Sequence, residues 1–234
     1  MWGIALRLAS LFTGGKDSTY ATRLALERGD DVVVLVTMMP CRGDSWMFHS
    51  ANIHLAEMVA RAMGIEHLPV QTSGEKDREL EDLRRALLEL DVDGVVSGAI
   101  ASRYQRDRID LICRELNLHH ITPLWGRNRG EVINEMLSRG MSIMVSAVAA
   151  LGLDEGWLGR LLDIQALEEL KGLQAKFGVD PCGEGGEMET LVLDAPWFLS
   201  RIEIVRARKE WNGLSGSIIV EEARLLEKMG LRKG

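Results

Sequence analysis

Residues 4–27 read IALRLASLFTGGKDSTYATRLALE, and the fold of the chain follows from this stretch. Residues 4–12 are apolar apart from Arg7 and Ser10, a pattern that predicts a buried strand. Residues 19–27 predict a helix, so the glycines lie in a turn that joins a strand to a helix. In this setting backbone N–H groups and the N-terminus of a helix bind phosphate. The stretch therefore predicts a phosphate-binding loop.

The side chains of this turn also suit phosphate. The turn reads Thr13-Gly14-Gly15-Lys16-Asp17-Ser18. The glycines let the backbone approach a ligand, and Lys16 supplies a point charge. Asp17 is a candidate Mg²⁺ ligand, and Ser18 is expected to cap the helix or to donate to a phosphate. A plain glycine turn with a capping serine is the alternative, but Lys-Asp-Ser directly after two glycines favours phosphate binding.

This turn differs from two common nucleotide-binding motifs. A Walker P-loop would need Gly in place of Ser10 and Ser or Thr in place of Asp17. A dinucleotide fingerprint would need a third glycine. The turn resembles instead the PP-loop of the N-type ATP pyrophosphatases, Ser-Gly-Gly-Lys-Asp-Ser, with Thr13 keeping the first hydroxyl. The resemblance implies that ATP is cleaved between its α- and β-phosphates.

Composition narrows the range of functions. The formal net charge of −7 argues against broad nucleic-acid binding, and no direct nucleic-acid partner is expected. No apolar run reaches the length of a membrane span and no signal peptide is visible, so we expect a cytoplasmic protein without a membrane partner. The cysteines are widely separated and give no disulfide framework, and the histidines show no zinc pattern. A homodimer is compatible with this composition.

The first half of the sequence alternates strands and helices. Further strands are predicted at residues 32–38, 67–70, 94–98 and 119–123, and helices at residues 48–63, 75–90 and 107–116. This order predicts an α/β fold with a parallel five-stranded Rossmann-like sheet, covered on both faces. The PP-loop resemblance implies the HUP type of this sheet, that of the adenine nucleotide alpha hydrolases. Ligands bind beyond the carboxyl ends of such strands.

The second half has a different pattern. Helices are predicted at residues 130–139, 157–162 and 166–177, and strands at residues 142–149, 189–193, 201–207 and 217–222. A boundary near Trp125-Gly126-Arg127 separates two predicted domains. Residues 1–126 form the PP-loop nucleotide-binding domain. Residues 127–234 form a smaller C-terminal α+β domain that would bind substrate or act as a lid.

Two further segments are candidates for chemistry. The first follows the fourth strand and contains Gly98, Tyr104, Gln105, Arg106 and Arg108. Its arginines could bind phosphate oxygens at the same sheet edge as the PP-loop, and the alternative is a solvated helix start.

The second segment is an acidic, glycine-rich loop. Residues 181–190 read Pro-Cys-Gly-Glu-Gly-Gly-Glu-Met-Glu-Thr. Its carboxylates could orient an amine, accept a proton or hold Mg²⁺, and the alternative is an acidic surface turn. Cys182 has no neighbouring cation in sequence, so we expect a buried or inert thiol.

Taken in order, the motifs resemble the diphthine–ammonia ligase family from the first strand to about Pro196. The resemblance is carried by the PP-loop, Met47-Phe48-His49, Gly98-Ala99-Ile100, Tyr104-Gln105-Arg106 with Arg108, Pro123-Leu124-Trp125, Ala149-Ala150-Leu151-Gly152-Leu153-Asp154, residues 182–190 and Leu193-Asp194-Ala195-Pro196. The loop at residues 183–190 is specific to the family, and the short form resembles its archaeal members. Thr13 and Met188 depart slightly from the family pattern, and the residues after Pro196 match it weakly.

The resemblance implies the last step of diphthamide synthesis on translation elongation factor two. ATP would adenylylate the carboxylate of diphthine, a modified histidine, and ammonia from free ammonium would displace AMP. Under this interpretation the catalytic residues are Lys16, Asp17, Arg106 and Glu187, with Asp17 as the Mg²⁺ ligand.

The same interpretation assigns the binding residues. ATP would be bound by Thr13, Gly14, Gly15, Lys16, Asp17, Ser18, Met38, Gly98, Tyr104, Gln105 and Arg106. The substrate would be bound by Arg108, Trp125, Glu184, Gly185, Gly186, Glu187, Glu189 and Thr190. The trimethylammonium of diphthine would contact an aromatic face, for which Tyr104, Trp125, Trp197 and Trp211 are candidates.

Two alternatives remain at this stage. One is a PP-loop enzyme that modifies tRNA by thiolation or as a lysidine-type ligase, which would want a basic face or paired cysteines. The other is a nucleotide sensor without chemistry, which would not need Lys16, Asp17 or the acidic loop.

Overall fold

The computed structural model describes residues 5–40, 52–73 and 76–228. The chain divides into two compact units. Unit 1 comprises Met1–Ala60 and Ile65–Gly126, and unit 2 comprises Arg61–Gly64 and Arg127–Gly234. The Met47-Phe48-His49 motif, Cys41 and the first part of the helix predicted at residues 48–63 lie outside the described residues.

Unit 1 alternates strands and helices. Its elements are β1 (Arg7–Leu11), α1 (Lys16–Glu27), β2 (Asp31–Pro40), a 3₁₀ turn (Ile53–Leu55), α2 (Ala56–Met63), β3 (Glu66–Thr72), α3 (Lys76–Leu88), β4 (Gly94–Val96), α4 (Arg103–Glu115) and β5 (His119–Ile121). The five strands pair in the order β3-β2-β1-β4-β5, and every pairing is parallel. The predicted Rossmann-like sheet is therefore confirmed.

Apolar side chains cover both faces of this sheet. On one face, strand residues such as Ala9, Val36 and Val95 form a buried cluster with residues of α3 and α4. Successive strand residues face opposite sides of a sheet, so Leu8 and Leu35, both fully buried, face the other side. Helix α1 contacts β1, β2 and β4. A strand buried on both faces explains the continuous apolar run of β2.

The strand order puts the ends of β1 and β4 at the centre of the sheet. From β1 the chain runs outward to β2 and β3, and it then returns to the other side of β1 to form β4 and β5. This change of direction is a topological switch point, where ligands of open α/β sheets bind. The PP-loop follows β1, and Gly98 follows β4.

Unit 2 is an α+β unit. Its elements are α5 (Arg129–Ser138), β6 (Ser142–Val148), a 3₁₀ turn (Glu155–Trp157), α6 (Ile164–Phe177), β7 (Met188–Asp194), β8 (Ser200–Trp211) and β9 (Gly216–Glu227). The strands pair in the order β7-β6-β9-β8 as an antiparallel sheet.

The prediction of a helix at residues 157–162 is wrong. Only the 3₁₀ turn Glu155–Trp157 forms, capped by Asp154, whose carboxylate accepts the N–H of Gly156. Gly159 then adopts a positive φ of 82°, which ends the turn. Beyond it the chain runs beside β6, where Leu162 N–H donates to Ile143 O at 2.8 Å. Pairing with a sheet has overridden local helix propensity.

Candidate active site

The PP-loop is held closed by its own hydroxyl groups. Thr13 N–H donates to Ser18 Oγ at 3.3 Å, and the two side-chain oxygens also lie 3.3 Å apart. Gly15 N–H donates to Thr13 Oγ1 at 3.3 Å. Gly14 has a φ of 77°, a conformation that favours glycine. The side-chain contacts of Thr13 are made by its hydroxyl oxygen. A serine, as in the PP-loop pattern that the sequence resembles, could make the same contacts.

Helix α1 begins three residues earlier than the sequence indicated, which changes the role of Ser18. The helix starts at Lys16 and its N-cap is Gly15, which makes no side-chain capping bond. Ser18 is thus the third residue of the helix and does not cap it, so the capping alternative was wrong, and donation to a phosphate stays a prediction. The first turn of α1 instead presents its backbone N–H end at the sheet edge, where the helix dipole favours an anion.

Lys16 and Asp17 form an ion pair at the base of the loop. Lys16 Nζ lies 2.6 Å from Asp17 Oδ2. Only 2% of the Lys16 side chain is exposed, against 29% of Asp17. A buried ammonium needs a partner to offset lost hydration, and Asp17 supplies it. The pair therefore keeps the charged Lys16 ammonium buried next to the backbone of the predicted phosphate-binding loop.

Gly98 brings the end of β4 against the PP-loop helix. A Cβ at Gly98 would lie 2.7 Å from Asp17 C and from Ser18 N, and 2.9 Å from Asp17 O. These are backbone atoms that cannot rotate away. Any larger residue would therefore force the strand end or the helix to shift. Two segments far apart in sequence meet here, as expected from their strand positions.

The segment after Gly98 turns into a helix sooner than expected. Helix α4 begins at Arg103 rather than near residue 107, because Ser102 caps it by accepting the N–H of Gln105. Tyr104, Gln105 and Arg106 therefore lie in the first turn of α4 and not in a loop. Gln105 is exposed and Tyr104 is 37% exposed.

Two arginines of α4 stack on aromatic rings. The Arg106 guanidinium lies 4.3 Å from the centroid of the Trp125 ring, and Arg108 lies 3.5 Å from the centroid of Tyr104. Arg108 also donates to Tyr104 O at 3.1 Å. Stacking fixes the plane of a guanidinium and leaves its N–H edge directed sideways. Both rings thus already carry a cation of this chain on one face.

The end of β2 offers backbone beside the loop. β1 pairs with β2 as far as Val36, whose O accepts the N–H of Phe12 at 2.8 Å. β2 then continues to Pro40 with β3 as its neighbour. The side chain of Met38 is 2% exposed, so this residue can meet a ligand chiefly through its backbone. That placement suits the adenine contact expected at Met38.

Two histidines belong to partly buried polar networks at this sheet edge, and sequence reasoning missed both. Thr37 Oγ1 donates to Phe12 O at 2.8 Å, so it must accept from His67 Nε2, also at 2.8 Å. On the other side of the sheet, His120 Nε2 lies 2.8 Å from Ser97 Oγ. The partners of both histidines lie on neighbouring strands, so no local sequence pattern marked either network.

The pKa shifts of both histidines predict that acid lowers the stability of the fold. Burial lowers the pKa of His67, opposed by Glu57, and burial lowers the pKa of His120, opposed by Asp110. A histidine whose pKa is lower in the folded chain stabilises the fold above its unfolded pKa of about 6.5 and loses that contribution as the pH falls. We expect the free energy of unfolding to fall between about pH 7.5 and about pH 5.

Denaturant unfolding of single variants tests this expectation. His67→Gln and His120→Gln should each flatten the acid-side loss of stability. His119→Gln is the matched control, because His119 is exposed on the same strand as His120. Equal acid sensitivity in all three variants and the wild type would contradict the expectation.

The acidic loop of unit 2 is held by Glu187. Glu187 Oε2 accepts the N–H of Gly185 at 2.8 Å, and Oε1 accepts the N–H of Asp180 at 3.4 Å. Asp180, 6% exposed, pairs with Arg129 at 2.5 Å and accepts the N–H of Cys182 at 2.9 Å. The carboxylate of Glu187 therefore organises its own loop.

Glu187→Ala should loosen this loop. Losing two hydrogen bonds to a carboxylate is expected to raise hydrogen exchange at the amides of Gly185 and Asp180 roughly tenfold. Glu187→Gln keeps an oxygen acceptor and should raise it less. Glu184→Ala is the control, since neither of these two amides donates to Glu184 in the described structure. Unchanged exchange in Glu187→Ala would contradict this reading of the geometry.

The remaining predicted residues lie in both units. Glu184, Glu189 and Thr190 are partly exposed, Gly185 and Gly186 are exposed, and Gly186 has a φ of 86°. Cys182 is 1% exposed and donates its S–H to Arg129 O at 3.0 Å, so the expected buried thiol is confirmed. Cys113 and Cys182 are free, and burial raises the pKa of Cys113 to about 12.

The described residues contain no cluster of three or more His, Cys, Asp or Glu side chains that could hold a metal ion. A Mg²⁺ ion at Asp17, as expected from the sequence, would need further ligands such as the oxygens of a bound phosphate. Within the same residues no helix is long and apolar enough to cross a membrane.

Comparison with known proteins finds two family models that match the chain. A model described as the diphthamide synthase N-terminal domain matches residues 6–120, and one described as the diphthamide synthase C-terminal domain matches residues 128–226. Curated relatives named diphthine–ammonia ligase from Bos taurus and Homo sapiens are each 37% identical over 222 residues, covering 84% of this chain and 82% of the relative.

Other matches include a longer relative and one solved structure. A protein of the same name from Schizosaccharomyces pombe is 34% identical over 84% of this chain, which spans 36% of that relative. Among solved structures, a predicted subunit of tRNA methyltransferase from Methanocaldococcus jannaschii has a TM-score of 0.45 and 17% identity, covering 82% of this chain and 98% of that one.

Proposed function

This chain belongs to the diphthamide synthase family, and from that premise we propose that it catalyses the ATP-dependent amidation of diphthine on translation elongation factor two. Ammonium supplies the nitrogen, and AMP and pyrophosphate are released. The observation that carries the proposal is the match of both family models, which together span nearly the whole chain. The meeting of the PP-loop with Gly98 at the switch point supports a nucleotide as the ligand.

ATP binds at the carboxyl ends of β1, β2 and β4. The N–H groups of the PP-loop and of the first turn of α1 hold the β- and γ-phosphates, and the hydroxyls of Thr13 and Ser18 shape that loop. The backbone at Met38 reads the adenine. Gly98, with Tyr104 and Gln105 after it, borders the α-phosphate.

Lys16 and Asp17 divide their roles when ATP arrives. The Lys16 ammonium is released from Asp17 Oδ2, 2.6 Å away in this structure, and turns to the leaving pyrophosphate. Asp17 would then be the protein ligand for Mg²⁺, a fit supported by its partly exposed carboxylate at the phosphate-binding helix end. Bound Mg²⁺ would spread the charge that develops on the phosphate oxygens.

The arginines of α4 bring two anions together. The diphthine carboxylate attacks the α-phosphorus, the bond to the bridging oxygen breaks, and pyrophosphate leaves. Arg106 neutralises the α-phosphate and Arg108 the incoming carboxylate, because repulsion between these anions opposes the attack. Stacking on Trp125 and Tyr104 holds each guanidinium plane in place. Trp125, Tyr104, Trp197 and Trp211 remain the candidates for the trimethylammonium group.

In the second step the acidic loop, residues 181–190, accepts a proton from ammonium and so supplies neutral ammonia. Ammonia attacks the carbonyl carbon of the acyl-adenylate, the bond to AMP oxygen breaks, and the amide forms. Glu187 or Glu189 accepts the proton of ammonium, since only neutral ammonia is a nucleophile. Glu184, Gly185, Gly186 and Thr190 complete the loop that contacts the substrate and limits its hydrolysis by water.

Nitrogen labelling tests this function. The chain is incubated with ATP, Mg²⁺, ¹⁵N-ammonium and elongation factor two that bears diphthine, and the peptide containing the modified histidine is analysed by mass spectrometry. One ¹⁵N atom should enter that peptide. Factor that lacks the diphthine group is the control and should stay unlabelled. ATP consumption that leaves the diphthine peptide unlabelled would overturn the proposal.

A further inference from the structure

A chain of polar side chains runs from the end of β4 to Trp125. Ser97 Oγ lies 2.8 Å from His120 Nε2, and His120 Nδ1 lies 2.5 Å from Asp110 Oδ1. The other carboxylate oxygen, Oδ2, lies 3.4 Å from Arg106 Nε. Arg106 in turn stacks on Trp125. Ser97 directly precedes Gly98, so this chain starts next to the residue that packs on the PP-loop helix.

The hydrogen positions in this chain follow from its chemistry. An ionised carboxylate only accepts hydrogen bonds, so His120 Nδ1 carries the hydrogen that is donated to Asp110. The ring is 6% exposed, and burial favours its neutral form. Nε2 is then an acceptor, and the hydroxyl of Ser97 donates to it. Both ends of the ring are fixed, and with them the position of Asp110.

Arg106 is positioned by Asp110 and by Trp125. Its Nε is buried and makes no hydrogen bond, because the contact with Asp110 is an ion pair at 3.4 Å. The Arg106 side chain is 34% exposed. The Asp110 carboxylate and the Trp125 ring both contact this guanidinium, so its orientation depends on where that carboxylate stands. The partly exposed side chain can donate to an anion.

We propose that His120 is a positioning residue that, through Asp110, aims the guanidinium of Arg106 at the phosphate of bound ATP. The inference rests on the proposed function in that it takes the ligand of Arg106 to be the α-phosphate. His120 itself does not touch the nucleotide.

A double-mutant cycle separates positioning from a purely structural role. Affinity for Mg-ATP is measured by calorimetry for the wild type, His120→Gln, Arg106→Gln and the double variant. His120→Gln should weaken binding roughly tenfold in the wild type but less than about twofold when Arg106 is already replaced. His119→Gln, on the same strand but exposed, should bind ATP like the wild type. Equal weakening in both backgrounds would mean that His120 only supports the fold, and would overturn the proposal.

A measurement without nucleotide keeps the two proposals apart. The ¹⁵Nε signal of Arg106, assigned by its loss in Arg106→Gln, reports how freely the guanidinium moves. It should show restricted motion in the wild type and in His119→Gln and free rotation in His120→Gln. Unchanged motion in His120→Gln would overturn the inference. A wild type that passes this test but adds no nitrogen to diphthine would overturn only the proposed function.

Discussion

Lys16→Met is expected to lower the rate of AMP formation by a factor of about a hundred to a thousand, the usual effect of removing one preorganised charge from a transition state. Met keeps the length of the buried aliphatic stem, of which only 2% is exposed, while removing the ammonium. The rate of AMP release is measured with saturating ATP, ammonium and diphthine-bearing factor.

Stability could also suffer in this variant, because Asp17 loses its partner at 2.6 Å. The double variant Lys16→Met/Asp17→Asn removes both charges, and it should recover thermal stability without recovering activity. Lys171→Met is the matched control, since Lys171 is a half-exposed lysine of α6 that pairs with Glu168. Normal AMP formation by Lys16→Met would remove Lys16 from the reaction.

Gly98→Ala is expected to lower kcat/KM for ATP about a hundredfold. The added Cβ would lie 2.7 Å from Asp17 C and Ser18 N, so the strand end or the loop must shift. A displacement of about 1 Å in a catalytic arrangement costs about that factor. The same overpacking should lower the free energy of unfolding by about 1–3 kcal/mol. Steady-state kinetics and denaturant unfolding measure the two effects.

Gly172→Ala is the control for this substitution. Gly172 lies within α6, and a Cβ there would meet no heavy atom within 4 Å. Alanine is favoured over glycine inside a helix by about 0.5–1 kcal/mol, so this variant should be slightly more stable and fully active. If Gly98→Ala bound and used ATP as well as Gly172→Ala does, the loop and the strand end would not form one site.

The sheet of unit 1 was predictable from sequence because each of its strands is marked by local pattern. The run at residues 32–38 is rich in Val, and a glycine turn follows the first strand, so type and order could be inferred. The prediction of a helix at residues 157–162 was wrong because this backbone pairs with β6. That contact is non-local, so no local sequence pattern indicates it. The start of α4 was missed because the capping role of Ser102 was not recognised.

The site was predictable to a smaller extent. The convergence of the PP-loop with Gly98 follows from parallel strands that end at one edge. The hydrogen-bonded histidines His67 and His120 could not be inferred, because their partners Thr37 and Ser97 lie on neighbouring strands far apart in sequence. Nor could spacing indicate that Glu187 binds its own loop, since both donors are backbone groups whose directions depend on the turn.

Release of AMP and pyrophosphate from ATP tests the central claim most directly. The products are quantified with ammonium present, with and without elongation factor two that carries diphthine. If the chain amidates diphthine, we expect equal amounts of AMP and pyrophosphate in the complete mixture. We expect neither product when the modified factor is omitted. Release that is independent of the factor, or release of ADP and phosphate instead, would contradict it.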